Sequence, residues 1–133
     1  MVQVYSYLAA LTVFFLADMV WLGTMSSRLY KPTLGDILLT NVSLPPAIAF
    51  YLLYPVGLVV FTIQPALRTG SVGTAFGLGA LFGLFTYATY DLTNQATLRN
   101  WTTTLTLADM AWGCFLGGMS AAFAYWIVNR FAT

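Results

Sequence analysis

Few residues in this 133-residue chain can do chemistry, and two of them stand where charge is expensive. Asp18 and Asp109 each lie within a long apolar stretch. A carboxylate at membrane depth costs on the order of 2.5–3.5 kcal/mol on insertion scales and is functional by default. Each belongs to a repeated string: Leu16-Ala17-Asp18-Met19-Val20-Trp21 and Leu107-Ala108-Asp109-Met110-Ala111-Trp112 agree at five of six positions. In both copies the Trp follows the Asp by three residues, so Trp21 and Trp112 share a helix face with their carboxylates. No Lys or Arg lies within either stretch. Charge compensation then requires Arg28 or Arg99 reaching in from a loop, or one carboxyl staying neutral beside its like-charged neighbour. The plainer alternative is that both aspartates are interhelical glue, bonded to Thr and Trp side chains.

A second group follows helical spacing. Tyr87, Tyr90, Asp91 and Asn94 make one polar aromatic face. Carboxylates flanked by aromatic faces suit an organic cation through ion pairing and cation–π attraction, and the same oxygens suit a hard divalent metal. The sequence has no Glu and no His, which argues against a di-iron carboxylate site. With one Cys and no His, zinc sites, disulfide frameworks and Ser-His-Asp chemistry are out of reach. No cofactor or metal is expected. Cys114, next to Gly113 in an apolar helix, reads as inert packing.

These residues need a scaffold, and composition says which kind. Hydrophobic residues make up 59% of the chain, charged residues 7%, and the mean hydropathy is +0.80. A soluble domain carries roughly a quarter of its residues as charges, so a soluble fold is excluded. A net charge of +1 rules out a basic nucleic-acid binder. The apolar material divides into four stretches of membrane-spanning length, approximately 4–25, 44–64, 72–91 and 104–128. The predicted fold is all-α, one domain over 1–133, an up-and-down bundle of four transmembrane helices. The first span lacks a basic segment ahead of it and carries Asp18 where a signal core would be apolar, so it is expected to be retained. Between Ser27 and Ser43 lies the longest connection, in which Leu34, Ile37, Leu38 and Leu39 suit a short interfacial helix. Ser43, Pro45 and Pro46 punctuate the second start, Pro55 is expected to kink that helix, and Pro65 to end it. Gly73, Gly77, Gly79 and Gly83 give the third span two small-residue ridges, and Gly113, Gly117 and Ala121 repeat the device on the fourth, a pattern that predicts close packing of the two helices. Thr102, Thr103 and Thr104 suit a helix cap.

Alternating spans place Asp18, Asp109 and Asp91 at one end of the bundle, called X here; the other end is Y. Counted from the predicted span ends, Asp18 is ~10 Å and Asp109 ~7 Å inside X. Trp21, Trp101, Trp112, Tyr87, Tyr90, Asn94, Arg28 and Arg99 gather at the same end, whereas Y holds Arg68, Arg130 and Asn129. Trp21 and Trp101 suit an interfacial belt; Trp112 is too deep for one. Arg28, Lys31 and Arg99 on X against Arg68 and Arg130 on Y lean X toward the cytoplasm. A bias that small also permits dual insertion and an antiparallel homodimer.

Asp18 with Trp21-Leu22-Gly23, Phe50-Tyr51, Tyr54, Gly57, Phe61 and Pro65-Ala66 resembles a known sequence pattern. So does Tyr87-Ala88-Thr89-Tyr90-Asp91-Leu92-Thr93-Asn94, followed by Ala96-Thr97-Leu98, Trp101 and Asp109-Met110-Ala111-Trp112-Gly113. The pattern is similar to the domain of unknown function 2177 family. The resemblance implies a multi-pass protein of the bacterial inner membrane, and members tend to be encoded near lipid-modifying enzymes. It carries over no activity. The residues themselves suggest an acidic, aromatic-lined pocket that binds or transports a small cation or a cationic, amphipathic molecule, with proton coupling. Asp18 and Asp109 would bind the cation or exchange a proton for it, Asp91 and Asn94 shape the mouth, and Trp21 and Trp112 wall it; Tyr87, Tyr90 and Arg99 belong to the same substrate-binding or proton-coupling set. A membrane-embedded enzyme, or an enzyme's partner, acting on lipids is the alternative, with Asp18 and Asp109 as an acid/base pair. Catalytic residues are not assigned. Membrane lipids are the expected partners.

Overall fold

A computed structural model describes residues 1–39 and 41–132. It is all-helical, and four helices are long and apolar enough to cross a membrane: α1 Val2–Leu34, α2 Leu44–Thr69, α3 Val72–Thr97 and α4 Thr103–Phe131. Large apolar side chains such as Leu16, Val20, Leu53, Phe61, Phe85 and Phe123 point outward. Such a surface suits lipid, because hydrocarbon does not penalise exposed apolar groups.

The longest pairing is between α3 and α4. Gly79 packs on Gly117 and Gly83 on Gly113 so closely that a Cβ at Gly79 or Gly83 would run into the facing backbone. Helices in lipid associate through this close approach, with no hydrophobic expulsion to drive them. One of the two expected glycine ridges does not take part. Gly77 faces open space, and Gly73 meets no more than the Ser71 hydroxyl.

Helix starts follow their caps. Ser71 Oγ accepts from Thr74 N–H at 3.1 Å to start α3, and Thr102 Oγ1 accepts from Leu105 N–H at 3.1 Å to start α4. Ser43 occupies the N-cap position of α2 without a side-chain bond, and prolines fill the first turn. Gly70 closes α2 in the left-handed region, φ 69°, where glycine meets no Cβ penalty.

Two helices run on where the sequence suggested ends, and for one reason. α1 continues past Met25 through a π-helical turn at Ser26–Tyr30 into Lys31–Leu34. α2 continues past Ile63 through a π-helical turn at Val59–Ile63 into Gln64–Thr69. The last bond of each wide turn comes from the residue just before a proline: Lys31 N–H to Ser26 O, and Gln64 N–H to Val59 O. Proline has no N–H to give, and its ring crowds the carbonyl one turn back. A wider turn relieves both problems without ending the helix. The connection after α1 therefore starts at Gly35, and Leu34, expected in an interfacial helix, is instead the last residue of α1. Ile37, Leu38 and Leu39 are exposed residues of the following turn. Pro55 sits inside the α-helical part of α2, four residues before the wide turn.

Candidate functional site

Side chains from all four helices meet toward X. Asp18 on α1 is 6% exposed, and both its oxygens are used. Oδ2 accepts from the Tyr51 hydroxyl of α2 at 2.5 Å, and Oδ1 accepts from the Trp112 indole N–H of α4 at 3.2 Å. Asp109 on α4 is also 6% exposed, and its Oδ1 accepts from the Tyr30 hydroxyl. Tyr30 in turn accepts from the Trp21 indole N–H at 2.8 Å. The repeated strings thus exchange partners. The Trp of the second copy serves the Asp of the first, and the Trp of the first serves the Asp of the second through a tyrosine. Between them the Trp21 and Trp112 rings stack, centroids 4.5 Å apart and 6° from parallel.

Local structure explains the exchange. α1 and α4 run antiparallel, so strings read in opposite directions bring each Trp alongside the other's Asp. Tyr30 sits at the end of the wide turn Ser26–Tyr30, which shifts the following part of α1 relative to the rest. Beyond it, Leu34, Trp101 and Leu105 form a small core of their own, with Leu29 and Tyr30 against it. Tyr51 stands with Tyr54 one turn on. Tyr54 stacks on Phe14 at 4.6 Å and shares a 3.0 Å hydrogen bond with Thr86.

Asp91 on α3 is different. Its side chain is fully buried, and among the described residues no N–H or O–H reaches either carboxyl oxygen. Asp91 and Asp18 both interact electrostatically with Asp109, which joins the three carboxyls in one acidic cluster. Arg28 and Arg99 are exposed.

The residues singled out from sequence divide accordingly. Asp18, Asp109, Asp91, Trp21 and Trp112 come together. Tyr87 packs close by, over Gly113, where a Cβ would run into its ring. Tyr90 is 57% exposed and meets the Trp101 ring edge-on. Asn94 is half-buried nearer the end of α3, and Arg99 is exposed in the connection to α4. Trp101 is no belt residue: it is 8% exposed and donates to Thr106 Oγ1 at 3.0 Å. Tyr30 and Tyr51, the strongest donors to the aspartates, were not among the expected site residues. A tyrosine within an apolar span needs an acceptor, which is the signal that could have found Tyr51.

Two apolar surface grooves lie along the helices. One, about 420 Å³, runs between the start of α1 and the end of α4, past Tyr5, Ala9, Ile127 and Phe131. The other, about 400 Å³, runs between α1 and α2 from Leu11 and Ile48 to Tyr51. Asp18 and Asp109 are each 6% exposed, enclosed beside their hydrogen-bond partners and the stacked indoles.

Membrane-length helices, a lipid-type surface and an enclosed acidic cluster toward one end define a multi-span membrane protein. The chain matches the family described as predicted membrane protein, domain of unknown function 2177, over residues 3–126, and belongs to that family. No curated protein and no solved structure matches it.

Proposed function

We propose that this is a multi-pass protein of the bacterial inner membrane that binds or transports a small cation, with proton coupling, at the cluster of Asp18, Asp91 and Asp109. One observation carries the reading: Asp91 is fully buried with neither oxygen served by a donor. A buried acceptor left unserved costs about 1–3 kcal/mol, more for a charged group. Retention of that cost without a partner side chain is expected of a site that receives something from outside the chain. Asp109 joins Asp91 in the site. Asp18, already served by Tyr51 and Trp112, adds negative potential and anchors α1 to α2 and α4. The enclosure favours a small cation over a bulky organic one. Purified protein in proteoliposomes, challenged with sodium, potassium or a proton gradient, tests this. Flux or binding in the wild type and its loss in Asp91→Asn supports the reading; equal behaviour of the two proteins refutes it.

One observation favours a second reading, an action on lipids. The groove between α1 and α2 is apolar along its length and reaches Tyr51, whose hydroxyl bonds Asp18. An acyl chain lying there would bring its polar end toward the cluster. An altered lipid profile in a deletion strain, restored by the wild type and not by Tyr51→Phe, would support it.

A further inference from the structure

We propose that the apolar groove between the start of α1 and the end of α4 holds one acyl chain of an anionic phospholipid, whose phosphate is bound by Arg130 at the Y rim. The inference goes beyond both readings above, because it concerns the other end of the bundle and a different groove.

The shape of the groove follows from one helix face. Tyr5, Ala9 and Val13 succeed one another every four residues on α1 and so share a side of it. Opposite them α4 contributes Val128 and Phe131. Ala9 is too small to close the gap between the helices, and a volume of about 420 Å³ remains. Ala9 and Val13 are half-buried along it, whereas Tyr5 and Phe131 are exposed at its Y end. From Tyr5 to Val13 the groove follows about 12 Å of helix at 1.5 Å per residue. That is close to half of a hydrocarbon core of roughly 30 Å, the depth that one acyl chain occupies in its own leaflet.

Charge selects the occupant. Phe131 lines the groove, and the guanidinium carbon of Arg130 lies 5.9 Å from the centre of its ring. This cation–π contact holds a positive charge beside the Y end of the groove, where Arg130 is exposed. No acidic residue lines the groove or lies in the last turns of α4. Asp36 is in the connection after α1, and Asp18, Asp91 and Asp109 form the cluster toward X. The groove therefore asks for an apolar chain with an anion at one end, which is the chemistry of an anionic phospholipid. Phosphate oxygens accept strong, charge-assisted hydrogen bonds from a guanidinium, and basic side chains at the membrane surface attract anionic headgroups. A second copy packed alongside in the same orientation would bring no acidic side chain to Arg130, because Y has none.

Native mass spectrometry of the full chain released from detergent reads lipid retention directly. Titrated with phosphatidylglycerol or with phosphatidylethanolamine of the same acyl chains, the wild type should keep one phosphatidylglycerol per chain. Its preference for that lipid should be about fivefold, the factor of one basic side chain facing an anionic headgroup. Arg130→Gln should abolish the preference, and Arg68→Gln, at the same end but outside the groove, should leave it unchanged. Ala9→Phe fills the groove and should remove retention of both lipids, with a thermal melt to show that it folds. Phe131→Ala, at an exposed position, should lower retention of both lipids whether or not Ala9→Phe folds. Equal retention of the two lipids by the wild type, or equal loss in Arg130→Gln and Arg68→Gln, overturns the proposal. So does retention that Phe131→Ala or a folded Ala9→Phe leaves unchanged. A dimer that Ala9→Phe dissociates puts a second copy in the groove and overturns it as well.

Discussion

The α3–α4 pair is held together in two unlike ways along its length. In the middle, Gly79 against Gly117 and Gly83 against Gly113 bring backbone to backbone, with Ala121 and Tyr87 beside them. Toward X the same helices carry Asp91, Asp109 and Trp112, and α1 and α2 close over them through Tyr30, Trp21, Asp18 and Tyr51. The glycine seam has one shape and no chemistry. The acidic end has much chemistry and an unserved carboxyl. The difference teaches that the seam fixes the distance at which α3 and α4 run, and the cluster uses it. Asp91 and Asp109 share one cluster because Gly83 and Gly79, eight and twelve residues earlier on α3, let the helices approach.

The largest expected effect is on the seam. Gly83→Val places a branched side chain against the Gly113 carbonyl and the Cys114 backbone. Backbone cannot yield as a side-chain tip can, so the cost should reach or exceed the upper end of the about 1–3 kcal/mol typical of overpacking. A large drop in the thermal midpoint in detergent is the readout. Gly77→Ala, where no atom lies within 4 Å, should leave it unchanged. If the two substitutions behave alike, the seam is not what holds α3 to α4.

Next in size is Tyr30→Phe. It removes the donor to Asp109 and leaves the Trp21 N–H without its acceptor. Each orphaned buried group costs about 1–3 kcal/mol. Tyr51→Phe should cost less, because Asp18 keeps the Trp112 N–H. Thermal midpoints of both variants, set beside Gly77→Ala, test whether the two copies of the repeated string are served unequally.

A smaller effect belongs to the indole stack. Trp21 and Trp112 lie nearly parallel at 4.5 Å, and such pairs contribute about 0.5–1.5 kcal/mol beyond their buried area. A double-mutant cycle with Leu at each position should return a coupling of that order. Zero coupling would mean that the rings are neighbours by crowding alone.

Much of this was legible in the sequence, and what was not has a physical cause. Composition and span lengths specify an all-helical membrane protein, because nine charged residues cannot cover a soluble surface. Gly79, Gly83, Gly113 and Gly117 could be read as a seam because small residues in lipid have little other use. The gathering of Asp18, Asp109, Trp21 and Trp112 at one end followed from alternating spans and the repeated string, whereas the exchange of partners between the copies did not. Tyr30 was not legible. Arg28, Lys31 and Pro32 look like a loop, and nothing in a local pattern announces that a helix will widen and pass through a proline.

The sharpest test of the comparison comes from Pro32→Ala. The turn Ser26–Tyr30 is wide because Pro32 follows it directly after Lys31. Alanine restores an N–H and removes the ring, so the regular i to i−4 ladder can close across Arg28 to Pro32's position. Closing the turn rotates the following part of α1 by about 100° relative to Asp18, which carries the Tyr30 hydroxyl off Asp109. Asp109 then loses its donor and Trp21 its acceptor, while the glycine seam stays intact. The better helix propensity of alanine offsets part of that loss, so stability should fall by no more than in Tyr30→Phe, about 1–3 kcal/mol for each orphaned group. Tryptophan fluorescence should report the freed Trp21 indole, and the thermal midpoint should fall. A variant that keeps both signals unchanged would mean that the packing of Leu34, Trp101 and Leu105, and not the proline, holds the wide turn open.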